Sequence, residues 1–116
     1  MIWQILYYQE GNSQPVREYI DSLYPKTKAK ILRNLLLLSE FGPDLGWPFV
    51  SNISRNIWEL RTVHQGNQYR ILFAVTEGKI ILLLHGFQKK TKKLPEKELN
   101  LAVSRFTHYQ KRIKEQ

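Results

Sequence analysis

Five charged side chains in the second half of the chain could act together on one phosphate. Glu59 and Arg61 stand two residues apart in IWELRTV (57–63), Arg70 opens YRILFAV (69–75), and Lys89 and Lys90 close KIILLLHGFQKK (79–90). Several cations around one point suit a phosphodiester, whose negative charge grows in a pentacoordinate transition state and can be stabilised by guanidinium and ammonium groups. If the phosphodiester belongs to RNA, its own 2'-hydroxyl is the nucleophile and already within reach. The protein then has to position the strand, accept a proton and stabilise charge. Glu59, one pleat period from Arg61, is the available carboxylate base. On spacing alone it is equally well read as a surface ion pair with Arg61, worth less than about 1 kcal/mol.

The elements that must position these groups are three strand-like runs, 57–63, 69–75 and 79–87, separated by the turn signals Gly66-Asn67 and Glu77-Gly78. They predict an antiparallel meander. The last run is apolar at both parities, as expected of a strand buried on both faces, and is expected to be central in the sheet. In such a meander the end of the first strand, the start of the second and the end of the third share one edge, which would bring Arg61, Arg70, Lys89 and Lys90 together. Arg70, with neighbours on both sides, is expected to be the best-ordered cation and to meet the phosphate bidentately. Adjacent side chains diverge, so only one of Lys89 and Lys90 is expected to reach it.

Other candidates are weaker. His64, His85 and His108 fall in a turn, a strand end and a helix, with no pair at metal-ligand spacing, so neither metal nor cofactor is expected. His85, beside Gly86, reads equally as a structural or a functional imidazole, and His64 sits in a polar turn. Asp44 with Glu77 and Lys79 imitates the acidic-plus-lysine set of metal-dependent nucleases, but the Glu-Gly-Lys triplet is explained by a hairpin turn.

With 116 residues, 42% hydrophobic and 24% charged, the chain is expected to form one globular domain over 1–116. It has no cysteine, which excludes disulfides, thiolate metal sites and a cysteine nucleophile. The net charge of +8 is uneven: residues 1–56 carry six basic against five acidic side chains, and residues 57–116 twelve against five. The polyanion-facing side is therefore expected in the second half. Residues 1–8 lack a basic leader, and no stretch approaches the roughly 18 apolar residues of a membrane span, so a cytoplasmic protein without membrane contact is expected.

Taken in order, 1–8 predicts a strand. Ser13 is the expected N-cap of a short helix through Pro15, Val16, Ile20 and Leu23, and Pro25 is expected to interrupt it. A second helix follows, with Ile31, Leu32, Leu35, Leu36 and Leu38 on its apolar side, stopped at Gly42-Pro43. Residues 42–56 read as an irregular loop carrying Trp47 and Phe49 inward. Pro95, Glu96 and Glu98 suit the start of a terminal helix with Leu99, Ala102, Val103, Phe106, Tyr109 and Ile113 on one side. The whole predicts an α+β fold of order βααβββα.

WELR (58–61), YRILF (69–73) and LLHGFQKKTKKLP (83–95), followed by a helix with Ala102 and Arg105, resemble the phage-related HigB-type branch of the RelE/ParE toxin superfamily. The resemblance implies a RelE-like fold and the toxin of a type II toxin-antitoxin pair, which cuts mRNA in the A site of the 70S ribosome and is neutralised by a HigA-like helix-turn-helix antitoxin. By that resemblance Arg61 and Arg70 match the strand cations that hold the scissile phosphate, and Lys89 or Lys90 the basic group after the last strand. Thr91, Lys92 and Lys93, with His64, would extend the RNA contact. RelE proper has a base-stacking tyrosine shortly after the final strand. Residues 91–95 hold none, and Phe87 or His85 would substitute. Glu59 stands where RelE proper has a lysine. The superfamily also includes the ParE group, which inhibits DNA gyrase and cuts no RNA; a plain basic nucleic-acid-binding domain is a third reading.

Overall fold

The computed structural model describes residues 2–115; Met1, placed by the sequence reading in the first strand, lies outside them. The architecture is mixed α+β, with β1 (Gln4–Tyr7), α1 (Pro15–Asp21), α2 (Pro25–Phe41), β2 (Val50–Asn52), β3 (Trp58–His64), β4 (Asn67–Thr76), β5 (Ile80–Lys89) and α3 (Glu96–Lys114). The three helices cover one five-stranded sheet of order β1-β5-β4-β3-β2. The expected meander is β3-β4-β5, antiparallel throughout. β1 adds parallel to β5, making β5 an interior strand, but the middle of the sheet is β4 and not β5 as expected, because β2 adds a fifth strand beyond β3.

The sequence reading misses one strand. Val50–Asn52 pairs antiparallel with Leu60–Trp58 inside the segment expected to be irregular. Three residues flanked by a 3-10 turn at Gly42–Leu45 are too few to show a period.

The helical hairpin forms for local reasons that differ slightly from expectation. The residue preceding α1 is Gln14, not Ser13, and neither caps with its side chain. Glu18 reaches back instead, its Oε2 accepting from the Ser13 hydroxyl at 2.8 Å and from the Gln14 N–H at 3.1 Å. Pro25 opens α2 rather than merely interrupting, because a first-turn residue needs no amide donor. α2 ends at Gly42, whose φ of +61° suits glycine and whose added Cβ would stand 2.3 Å from the Trp3 indole.

The two faces of the sheet hold two cores. On one, Val16 and Ile20 of α1 and Ile31, Leu35 and Leu38 of α2 pack on Leu60, Ile71, Phe73, Ile81 and Leu83. Each such side chain, fully buried, contributes on the order of 1.5–3 kcal/mol. Buried Asn34 donates to Thr62 Oγ1 at 2.9 Å, tying α2 to β3 without leaving either group unpaired. On the other face, Ala102 and Phe106 of α3 join Tyr8, Leu72, Ala74, Leu82, Leu84 and Phe87. α3 starts with Glu96 and Glu98 and ends with Lys111, Arg112 and Lys114, matching its dipole at both ends. Val103 and Ile113, expected on its apolar side, are exposed, as are Leu32 and Leu36, expected on the apolar side of α2.

One irregularity decides which side chains share the α3 face. The β4–β5 register shifts by one residue between Leu72, opposite His85, and Phe73, opposite Leu83. Leu84 is the extra residue of a β-bulge, and beyond it the facing of β5 is reset. His85, Phe87 and Lys89 thereby come to the α3 face of the sheet, opposite Leu72, Arg70 and Gln68.

Candidate functional site

Antiparallel pairing sets Arg61 directly opposite Arg70, so both guanidinium groups leave the sheet on the α3 face. Glu59 lies on that face two residues along β3, and Ser51 of β2 lies opposite Glu59. α3 covers only the part of this face built from Leu72, Ala74, Leu82 and Leu84. Toward the β3–β4 turn the face opens into a cleft of about 820 Å³, lined by Arg61, Gln68, Arg70, Lys89, Lys90 and Lys92 together with Gly66, Asn67, Gln88 and Thr91.

A buried ion cluster stands at the head of the cleft. Glu59 is 4% exposed and Arg70 2%. Glu59 Oε2 accepts from the Ser51 hydroxyl at 2.6 Å and from Arg61 Nη1 at 3.0 Å, while Oε1 lies 3.2 Å from Arg70 Nε. That last approach is a charge contact at an angle unsuited to a hydrogen bond. Arg70 also donates from Nη1 to the Tyr69 carbonyl and from Nη2 to Gln68 Oε1, both at 3.1 Å. Burial pushes the Arg70 guanidinium down from its ordinary value, the nearby Arg61 charge adds to this, and Glu59 opposes it.

Arg61 is the accessible member, with its side chain 20% exposed. Its Nε donates to the Pro48 carbonyl at 3.1 Å, and its guanidinium lies 4.2 Å from the centre of the Trp47 ring. Among the described residues its Nη2 has no hydrogen-bond partner, and this nitrogen can serve an anion in the cleft.

These positions revise three expectations. Arg70 does not present a bidentate fork, because its donors are turned to Glu59, Tyr69 and Gln68. Glu59 is not poised as a free base, because both its oxygens hold guanidinium groups within the protein. The ion pair with Arg61 is also not a surface pair, given how completely Glu59 is enclosed.

Lys89, Lys90, Lys92 and Thr91 all line the cleft, whereas Lys93 is exposed outside its lining. The Thr91 hydroxyl donates to the Lys93 carbonyl at 2.7 Å and shapes this loop. His85 and Phe87 stack on each other at 5.3 Å beneath α3. His85 Nε2 lies 3.0 Å from Glu98 Oε1, and Phe87 is buried, so neither offers a face to a base. His64 is not brought to the cleft; it points to the opposite face of the sheet, beside Tyr24, Pro25 and Thr27 at the start of α2. Among the described residues no three His, Asp or Glu side chains converge as a metal would require.

Sequence reasoning misses Ser51, Gln68 and Trp47. Ser51 and Gln68 are ordinary polar strand residues whose role appears only once the pairing partner is known. Trp47 was assigned inward by its hydrophobicity, yet it is 70% exposed.

The fold and site define a class: an α+β protein with a lysine-rimmed cleft on a sheet face that its last helix leaves partly open. The family model described as phage derived protein Gp49-like (DUF891) matches residues 18–107, and the chain belongs to that family. No curated protein matches it. No helix among the described residues is long and apolar enough to cross a membrane.

Proposed function

We propose that this protein is the HigB-type toxin of a type II toxin-antitoxin pair, with a RelE-like fold, and acts as a ribosome-dependent mRNA endoribonuclease. One observation carries the reading: a Glu59–Arg61–Arg70 cluster at the head of a cleft rimmed by Lys89, Lys90 and Lys92. Membership of a phage-derived family and the resemblance of WELR, YRILF and LLHGFQKKTKKLP to HigB-type toxins support it.

In this reading mRNA enters the cleft with the scissile phosphate against Arg61 Nη2 and one of Lys89 and Lys90. The 2'-hydroxyl attacks the adjacent phosphorus and gives its proton to solvent water, the bond to the 5'-oxygen breaks as that oxygen takes a proton from water, and a 2',3'-cyclic phosphate remains. Charge building on the equatorial oxygens is met by groups already held in place, so little reorganisation accompanies the step. Glu59 and Arg70 are positioning residues that fix the Arg61 guanidinium. Lys92 and Thr91 contact RNA farther along. A HigA-like helix-turn-helix antitoxin would cover the cleft, and a ribosomal target places the protein in the cytoplasm.

The test is induction of the protein followed by primer extension on a cellular mRNA. Codon-spaced cuts ending in 2',3'-cyclic phosphate, lost with Arg61→Ala, are expected. Intact mRNA with a DNA-damage response would replace this reading with gyrase inhibition.

A further inference from the structure

We propose that Trp47 is a stacking platform for one base of a single-stranded RNA, adjacent to the phosphate held at Arg61. The proposal rests on the nucleic-acid reading of the cleft and adds a residue which that reading lacks, since Phe87 and His85 are packed beneath α3.

Trp47 is the most exposed tryptophan of the chain, and its exposure is built in. Gly46 turns the chain, with the Phe49 and Val50 N–H groups both donating to its carbonyl at 3.0 and 2.9 Å. The Arg61 N–H then donates to the Phe49 carbonyl at 2.7 Å, and Arg61 Nε to the Pro48 carbonyl. The backbone following Trp47 is therefore tied to the strand that carries the accessible cation, and Gly46 before it is tied back to that same backbone. Phe49, two residues on, packs into the core, while the indole is left outside. An indole free to bury would gain several times the thermal energy by doing so.

The stack on Arg61 gives the exposed ring a direction. The guanidinium lies over the ring at 4.2 Å from its centre, and with 70% of the residue open to solvent the indole keeps ample surface for a planar partner. Arg61 thus joins two surfaces: it lines the cleft, where its Nη2 is available to an anion, and its guanidinium lies over an aromatic ring. A nucleotide is the ligand that presents an anion and a flat π-surface side by side. Single-stranded RNA supplies this without the cost of unpairing, and base–aromatic stacks tolerate any sequence while favouring the larger purine faces.

The experiment uses the full chain labelled with 5-fluorotryptophan, whose Trp3, Trp47 and Trp58 signals are assigned by single Phe replacements, together with 15N labelling. The probe is a short 2'-O-methyl oligoribonucleotide, which cannot be cleaved. The expected result is a saturable shift of the Trp47 signal, with Trp3 and Trp58 unmoved, alongside amide shifts in 67–70 and 89–92. Trp47→Leu should weaken binding about tenfold, on the scale of one base–aromatic stack, and Trp47→Phe should keep most of the affinity. A role limited to covering Arg61 would be served by Leu and would leave purine and pyrimidine probes equally affected. Amide shifts around the cleft with a stationary Trp47 signal would overturn the stacking proposal and leave the cleft reading intact. No shift in either set would overturn the nucleic-acid reading, and the stacking proposal with it.

Discussion

Arg61 and Arg70 face each other across β3 and β4, yet their surroundings give them different duties. Arg70 and Glu59 are almost wholly enclosed, so removing one leaves a buried charge without its partner, a loss of about 3–5 kcal/mol in comparable pairs. Arg70→Ala is expected to lower the unfolding free energy by an amount of that order, read as a lower urea midpoint at unchanged slope. The double replacement Glu59→Ala with Arg70→Ala should cost less than the two single changes together, because the orphaned charge is gone. Arg61→Ala, at the more open end of the cluster, is expected to leave the fold largely intact and, on the proposed activity, to reduce RNA cleavage about a hundredfold, the scale of one lost transition-state donor. Equal stability losses for Arg61→Ala and Arg70→Ala would contradict this division. The sequence places both arginines on one sheet edge, since antiparallel pairing requires it. It does not say which is buried, because that depends on Glu59, itself held by Ser51 of the neighbouring strand, and on Gln68 engaging Arg70.

At the scale of elements, the meander, the helical hairpin and the terminal helix are legible because each carries a period over seven or more residues or a turn dipeptide at its end. Two features are not. β2 is too short to show alternation, and the bulge at Leu84 is hidden in a run that is apolar at every position, where a one-residue shift leaves no mark. The second omission bears directly on the site, since the bulge decides which face receives Phe87 and Lys89. Beyond the bulge, Gly86 turns to the helical hairpin, and a Cβ there would stand 2.5 Å from the Tyr19 ring. Gly86→Ala is expected to cost about 1–3 kcal/mol by overpacking, read as a lower thermal midpoint. Combining it with Tyr19→Ala should cost less than the sum of the two single changes. Strict additivity would mean that the Tyr19 contact does not set the approach of α1 to β5.

Across the whole molecule, charge is distributed so that the second half supplies the cleft and the first half supplies mostly the hairpin that backs it. The carboxylate of Glu59 has a consequence beyond geometry. Folding five cations, Arg61, Arg70, Lys89, Lys90 and Lys92, around one cleft would ordinarily oblige the protein to collect small anions from solution. Glu59 is a resident counter-ion, carried on the chain and already in place. A polyanion that enters therefore displaces fewer dissolved ions than the number of cations suggests, and its affinity should fall less steeply as salt rises. Releasing that internal neutralisation with Glu59→Gln should steepen the dependence of log affinity on log salt for single-stranded RNA by about 0.7, the contribution of one further neutralised phosphate. The same change should tighten binding at low salt. In the native chain, the salt sensitivity of RNA binding is thus expected to be modest, set by an ion that never leaves.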